Sequence, residues 1–424
     1  MIASGEIPTS ARATASAETM DSLPSLRCLR ALAAVVERGS VLGAAESLNL
    51  SQPAVSRAIR DLEKALDLSL FERHHGGMLC TEVGELVAHR CRRVLHQFDR
   101  AERQLTQLQL DGHFQRLAQR LSLRHLRVLV TLAETRNERL AARRLALTQP
   151  TVSASLRDLE GRLATSLFLR TQRGLIATPG SSLLTRHVKV ALREIALLQD
   201  EVTAWRGEAL GRVVIGALPL TSSLLVPRAV DTLLREYPGL AVTVHEGTYD
   251  VLFEALRSGE IDVLVGVLHR IDPEEEMSQQ VLLHDRLVAV TRPDHPLMEH
   301  TDLTLETLLD WPWIAPPRGT PARHSFDQQF NTLGITPPTP VVEAGNLGVI
   351  RDLLRDSDRL ALISPYQVHY EVQDGHLAYL PLRLQGPPRA IGLTMREDSA
   401  PSQALRALRS ALIMASRALS PTPQ

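Results

Sequence analysis

Residues 44–63 read AAESLNLSQPAVSRAIRDLE, and residues 141–160 read AARRLALTQPTVSASLRDLE. The second stretch lies 97 positions after the first. The match runs without a gap over residues 26–81 and 123–178, and 25 of those 56 positions are identical. A tandem copy on this scale means two similar folded units in a row. Within the first copy, Leu29, Leu32, Val35 and Val36 recur at helical spacing and end at Gly39-Ser40. Ser40 can cap a second helix, in which small Ala44 and Ala45 let a neighbour approach closely. Ser51 stands at an N-cap position, and Pro53 falls in the first turn, where its missing N–H costs nothing. The third helix runs through about Ala65, with Val55, Ile59, Leu62 and Leu66 facing inward. That leaves Gln52, Ser56, Arg57 and Arg60 on the outer face near its start. Short polar side chains plus Arg at the head of an exposed helix suit a DNA major groove: Gln pairs with adenine and Arg with guanine. The same residues also fit a solvated face of a small helical bundle.

These residues carry a family resemblance. The run from Ala44 to Glu63, then Leu70-Phe71-Glu72-Arg73 and Thr81-x-x-Gly84, resembles the winged helix-turn-helix of LysR-type transcriptional regulators. The resemblance implies that Gln52, Pro53, Ser56 and Arg57 face the groove and that Arg73 lies at the wing near phosphate; Ser51 and Arg60 join them as DNA-binding candidates. Carried to the second copy, it points to Thr148, Gln149, Pro150, Ser153, Arg157, Arg170 and Arg173. The copies are not equivalent. The second has Ala154 where the first has Arg57, and Arg173 where the first has Gly76; Arg136-Asn137 replaces Gly39-Ser40. Residues 26–110 carry a net charge of +2 and residues 111–206 one of +8. Helix residues favour copy 1 for base reading, and charge favours copy 2 for phosphate contact. A second copy kept as a dimerisation scaffold stays open.

Behind each unit a long helix carries an apolar seam with alternating spacings of three and four. Val87, Cys91, Val94, Phe98, Ala101, Leu105 and Leu108 form one; Leu184, Val188, Ala191, Ile195, Leu198, Val202 and Trp205 form the other. Such a seam wants a partner helix. In the family the linker helix builds the dimer. Here the two seams of one chain can also pair with each other, as an internal pseudo-dimer.

The net charge of −1 hides an asymmetry: residues 26–206 carry +10 and residues 207–424 carry −9. A basic half joined to an acidic half suggests that one half meets a polyanion. No apolar stretch approaches the ~18 residues a membrane-spanning helix needs. Residues 1–23 are rich in Ala, Ser and Thr, lack the apolar segment of a secretory signal and read as a disordered tail. Three cysteines, Cys28, Cys80 and Cys91, have no CxxC spacing, so neither a disulfide framework nor a metal site is expected. The chain reads as cytoplasmic, and no cofactor is expected.

From Gly211 the period changes. Strands are expected at 212–218, 240–246, 261–266, 341–343 and 360–364, alternating with helices at about 221–236, 248–258, from Asn346, and 404–418. That alternation predicts a parallel α/β sheet. This half resembles the LysR effector domain, a two-lobed α/β fold like that of periplasmic binding proteins. The expected boundaries are 24–84 and 121–180 for the winged units, 85–110 and 181–206 for the linker helices, and 209–424 for the effector domain. Lobe 1 takes about 209–284 and 386–424, and lobe 2 about 285–385. Ligands of open α/β sheets sit beyond strand C-termini, at helix starts rich in free N–H groups. Candidate effector-binding residues are Thr221, Ser222, Ser223, Thr248, Arg318, Gly319, Thr320, Arg323, Asn346 and Ser364. For any one Ser or Thr, simple capping is the plainer role. Two Arg near helix starts favour an anionic ligand, and the resemblance extends to regulators of aromatic-acid and sugar catabolism.

The reading is a ligand-responsive transcriptional regulator. Expected partners are double-stranded DNA, a small effector and a second copy of itself, with RNA polymerase a further candidate; no membrane partner is expected. A solute-binding protein or an α/β enzyme is the alternative. The sequence holds no GxSxG, Walker, Rossmann-glycine or HExxH pattern. His74-His75 falls in the wing loop, and Glu274-Glu275-Glu276 reads as a solvated loop.

Overall fold

The computed structural model describes residues 25–74, 77–109, 111–172, 174–207, 211–397 and 401–419, without the side chains of 73–78. The expected tail at 1–23 lies outside the described residues, as does Arg173. In the first unit, α1 (Leu26–Arg38), α2 (Val41–Leu48) and α3 (Gln52–Leu66) precede a two-stranded antiparallel wing, β1 (Phe71–His74) and β2 (Gly77–Cys80). The second unit repeats the order. A short α5 (Leu117–Arg120) leads into α6 (Leu123–Thr135), α7 (Glu138–Arg144) and α8 (Gln149–Leu163), then β3 (Phe168–Thr171) and β4 (Gly174–Ala177). The stop signals lie in the sequence: Gly39 ends α1 in the left-handed region, and Ser40 and Asn137 cap the helices that follow. Ser51 occupies the N-cap of α3, but its hydroxyl makes no cap hydrogen bond.

Each unit continues into a long helix, α4 (Glu82–Gln107) or α9 (Pro179–Trp205). The two lie antiparallel against each other within the one chain. The seam residues are buried in both helices except Leu108 and Trp205, which are exposed at the ends. One continuous apolar core therefore runs through both units and both linker helices. The pairing is isologous: Arg90 meets Glu194 and Glu201, and its counterpart His187 meets Gln97 and Gln104, the counterparts of those two glutamates. The positions are two-fold related, but their chemistry is ionic on one side and neutral on the other.

The last half forms two five-stranded sheets. The first has the order β6-β5-β7-β14-β8, with β5 (Arg212–Ala217), β6 (Ala241–Glu246), β7 (Val263–Val267), β8 (Met277–Asp285) and β14 (Arg389–Arg396). The second has the order β11-β10-β12-β9-β13, with β9 (Val288–Thr291), β10 (Trp313–Ala315), β11 (Val342–Glu343), β12 (Leu360–Ile363) and β13 (Ala378–Tyr379). Strands β5, β6 and β7 are parallel, and so are β10, β11 and β12. The sheets are mixed, however: β14 runs antiparallel to β7 and β8, and β9 runs antiparallel to β12 and β13. The all-parallel expectation fails because the chain leaves lobe 1 along β8 and returns along β14, so the two crossing strands must point in opposite directions. Apolar side chains cluster on both faces of each sheet, under α11 (Leu225–Glu236) and α16 (Gln403–Leu419) on one face of the first and under α12 (Tyr249–Arg257) on the other. The helix expected from Thr221 is a single turn, α10 (Pro219–Ser222), followed by α11, and a short α15 (His369–Gln373) follows β12.

Candidate DNA-reading surfaces and effector cleft

In the first unit, Val55, Ala58, Ile59, Leu62 and Leu66 bury one face of α3. Gln52, Pro53, Arg57 and Arg60 are exposed on the other, and Ser56 is half-buried. No described residue engages the side chains of Gln52, Ser56, Arg57 or Arg60, so the face is open to a ligand. Arg73 lies in β1, but its side chain is outside the described residues. The motif's last residue has a role that sequence reasoning missed. Glu63 Oε1 accepts the Leu70 amide at 2.9 Å, and Glu160 Oε1 accepts the Leu167 amide at 2.8 Å. In both units this carboxylate ties the end of the recognition helix to the wing, which explains a shared Glu on an otherwise polar face.

The second unit arranges its counterparts differently. Thr148 caps α8 by accepting from the Thr151 amide, and Pro150 sits in the first turn. Gln149 Oε1 accepts from Arg139 Nε at 3.3 Å. Ser153 donates to Glu138, and Arg170 donates to the other oxygen of the same carboxylate at 2.7 Å. Arg157 turns back to the Ser153 carbonyl. Val41 and Leu42 stand at the first copy's equivalents of Glu138 and Arg139, so these contacts belong to the second unit alone.

The linker pair docks on lobe 1. Arg193 of α9 makes two hydrogen bonds to Asp262, at 3.0 and 2.7 Å, and both side chains are buried. Asp262 also accepts the Val214 amide, so one carboxylate connects the linker helix to β5 and to the turn before β7. Lys189 bridges Glu260 and Glu134, joining lobe 1 to the second unit. The acidic run is not purely solvated: Glu275 pairs with Arg257 and Glu276 with Arg100, while Glu274 stays exposed. The local excess of arginine explains the change, because Arg93, Arg100, Arg186 and Arg257 line a polar cavity of about 200 Å³ beside that loop. Burial, aided by Arg100 and Arg186, pushes the His187 imidazole down to about 3, so it bridges Gln97 and Gln104 as a neutral ring.

In the effector domain, every candidate follows a strand C-terminus or begins a helix, but many are engaged by the fold itself. Thr221 is buried, with its hydroxyl donating to the Leu218 and Val265 carbonyls. Thr320 and Asn346 cap α13 (Pro321–Asn331) and α14 (Leu347–Arg355). Arg323 is buried and bonded to Asp327 and Glu343, which raise its pKa. Ser364 is buried and donates to Asp285 at 2.7 Å. Asp285 ends β8 and pairs with Arg389 at the start of β14, so this triad fastens the two crossings between the lobes. Burial raises the Asp285 pKa, and Arg389 opposes that shift. Ser222 reaches Glu246 and the Pro219 carbonyl, which also accepts from Ser223. Arg318 is exposed beside Glu343, and Gly319 and Thr248 are exposed.

Two family models fit this architecture. The LysR substrate binding domain matches residues 206–416, and the lysR-family bacterial regulatory helix-turn-helix matches twice, at 26–85 and 123–180. The chain belongs to the LysR family of transcriptional regulators. It is a DNA-binding regulator with an effector-binding domain, not an enzyme. The regulator is 39% identical over 386 residues to the HTH-type transcriptional regulator GalR of Pseudomonas putida, covering 91% of this chain and 96% of that one. The HTH-type transcriptional regulator PcaQ of Agrobacterium fabrum is 31% identical over 295 residues, 69% of this chain and 94% of its own. Among solved structures, full-length OxyR from Pseudomonas aeruginosa shares the fold with a TM-score of 0.55 at 22% identity, over 70% of this chain and 95% of that one. CbnR, a LysR family transcriptional regulator, gives 0.50 at 19%, over 69% and 98%. No described helix is long and apolar enough to cross a membrane.

Proposed function

We propose that this regulator presents its two winged units on DNA as an internal pseudo-dimer built by α4 and α9, and that the first unit reads sequence. The observation that carries this reading is the open polar face of α3: Gln52, Ser56, Arg57 and Arg60 have no described partner above a fully buried apolar face. Gln and Arg at that position offer adenine and guanine contacts, and Ser56 contacts base edge or phosphate. The effector is a small anion held between the lobes, near Ser222, Ser223, Thr248, Arg318 and Gly319. The effector domain contains no cysteine, so its response cannot be thiol oxidation. Arg193 and Asp262 carry the effector's influence to the linker pair, since lobe 1 and α9 share that buried ion pair. RNA polymerase and a second copy of the chain are further partners, and the nucleoid is the site of action.

The test is a footprint on DNA selected by the native chain from a random pool. Ser56→Ala with Arg57→Ala should lose specific binding by more than tenfold while weakening binding to random DNA far less. Equal loss on both would refute the reading of α3.

A further inference from the structure

Glu138 has no counterpart in the first unit, and three of the second unit's candidate DNA contacts converge on it and its neighbour. Ser153 comes from the recognition helix, and Arg170 from the wing; each takes one oxygen of the Glu138 carboxylate. Arg139 engages Gln149. The Glu138 side chain is 9% exposed, whereas that of Arg170 is 69% exposed, so the carboxylate lies beneath a guanidinium that faces outward. In the first unit, Val41 leaves the equivalent Ser56 hydroxyl without a described partner. A hydroxyl and a guanidinium drawn from recognition helix and wing are a donor pair suited to a backbone phosphate. In the second unit a carboxylate already holds both donors.

We infer that Glu138 stands in for a DNA phosphate and keeps the second unit from docking as the first does. A phosphate approaching Ser153 and Arg170 meets a fixed negative charge and finds its donors occupied. The second unit then contributes general positive charge, while the first sets position and sequence. The inference rests on the proposed reading of the winged units as DNA-facing.

The test uses the full chain, with Glu138→Val (the residue type the first unit carries) and Glu138→Gln. The probe is duplex DNA selected by the native chain, followed by hydroxyl-radical footprinting and by anisotropy across a salt series. Either variant should lengthen the footprint over a second half-site and steepen the slope of log K against log salt by about 1 to 2, since each new phosphate contact adds ~0.9. The reciprocal Val41→Glu should weaken specific binding at least tenfold by engaging Ser56. An unchanged footprint and slope in both Glu138 variants, with unchanged thermal unfolding, would overturn the inference. So would a native footprint that shrinks when Gln149 and Ser153 become Ala, because the second unit would then already read. If native protein and Ser56→Ala/Arg57→Ala alike fail to discriminate selected from random DNA, the reading beneath it falls, and the inference with it.

Discussion

Replacing Arg90 by Met should loosen the linker pair while leaving lobe 2 intact. The Arg90 guanidinium is 1% exposed, bonded through Nη1 to Glu194 at 2.7 Å and through Nε and Nη2 to Glu201 at 2.9 and 2.6 Å. Burial acts to lower its pKa, but the two glutamates outweigh burial and raise it. Methionine keeps the length of the side chain and removes the charge. Glu201 then loses both of its described hydrogen bonds, while Glu194 keeps the bond from Arg93 at 3.1 Å, with Arg193 and Arg396 near enough to act on it. Stranding one partner of a buried ion pair costs about 3–5 kcal/mol. At ~1.4 kcal/mol per decade, that is roughly a 10²- to 10⁴-fold rise in the opening constant. Because the chain has several domains, global denaturation gives no single free energy, and hydrogen exchange resolves the parts. Amides of residues 82–107 and 179–205 should lose protection by that factor, and those of 360–363 should not change. Adding Glu201→Gln should recover part of the loss, because the pseudo-equivalent site already runs on a neutral imidazole between two amides. A loss under about 1 kcal/mol, or equal losses in the linker and lobe 2, would refute the argument.

Other outcomes follow from the same contacts. His187 titrates near 3 in the folded chain against ~6.5 unfolded, so on acidification the unfolded state takes up its proton first. Its contribution is intact above pH 6.5 and is lost as pH falls toward 3, at ~1.4 kcal/mol per unit. His187→Gln should remove that increment from the pH dependence of linker stability between pH 6 and 4; parallel curves for mutant and native chain would refute it. Arg193→Gln should preserve effector binding by calorimetry yet abolish the shift in DNA affinity that effector produces, and a retained shift would exclude this ion pair as the coupling. Arg318→Ala should weaken an anionic effector at least tenfold with DNA binding intact; loss of both together would indicate misfolding. Phe98→Ala, at a side chain 1% exposed in the linker seam, should cost about 3–5 kcal/mol in the same exchange measurement.

The sequence carried the architecture well where periodicity and punctuation agree. Val55, Ile59, Leu62 and Leu66 are the buried stripe of their helix, and Ser40 and Asn137 cap where their side chains predict. The seams at 87–105 and 184–202 announced a helix partner, and the structure supplies it from the same chain. Side-chain direction was harder to read. A Glu at the first turn of α7 looks like ordinary helix-dipole compensation, and nothing local says that it turns toward Ser153 and Arg170. Glu275 and Glu276 looked solvated because their partners, Arg257 and Arg100, are distant in sequence. Thr221, Arg323 and Ser364 stand at strand ends, where ligand contacts occur, but long-range partners already engage them. The direction of β14 depends on how often the chain crosses between lobes, which short-range patterning does not encode.

The covalent joining of α4 and α9 has an evolutionary consequence. In a symmetric homodimer a single mutation appears in both halves at once, so neither half can drift without the other. Here each half of the pair has its own codons. Arg90 could pair with glutamates while His187 kept glutamines, and Glu138 could arise opposite an unaltered Val41. A substitution that would ruin a two-fold dimer is confined to one side, and the intact side continues to work. Such a chain is free to match a lopsided operator, and its linker pair assembles intramolecularly, at a concentration that dilution does not change.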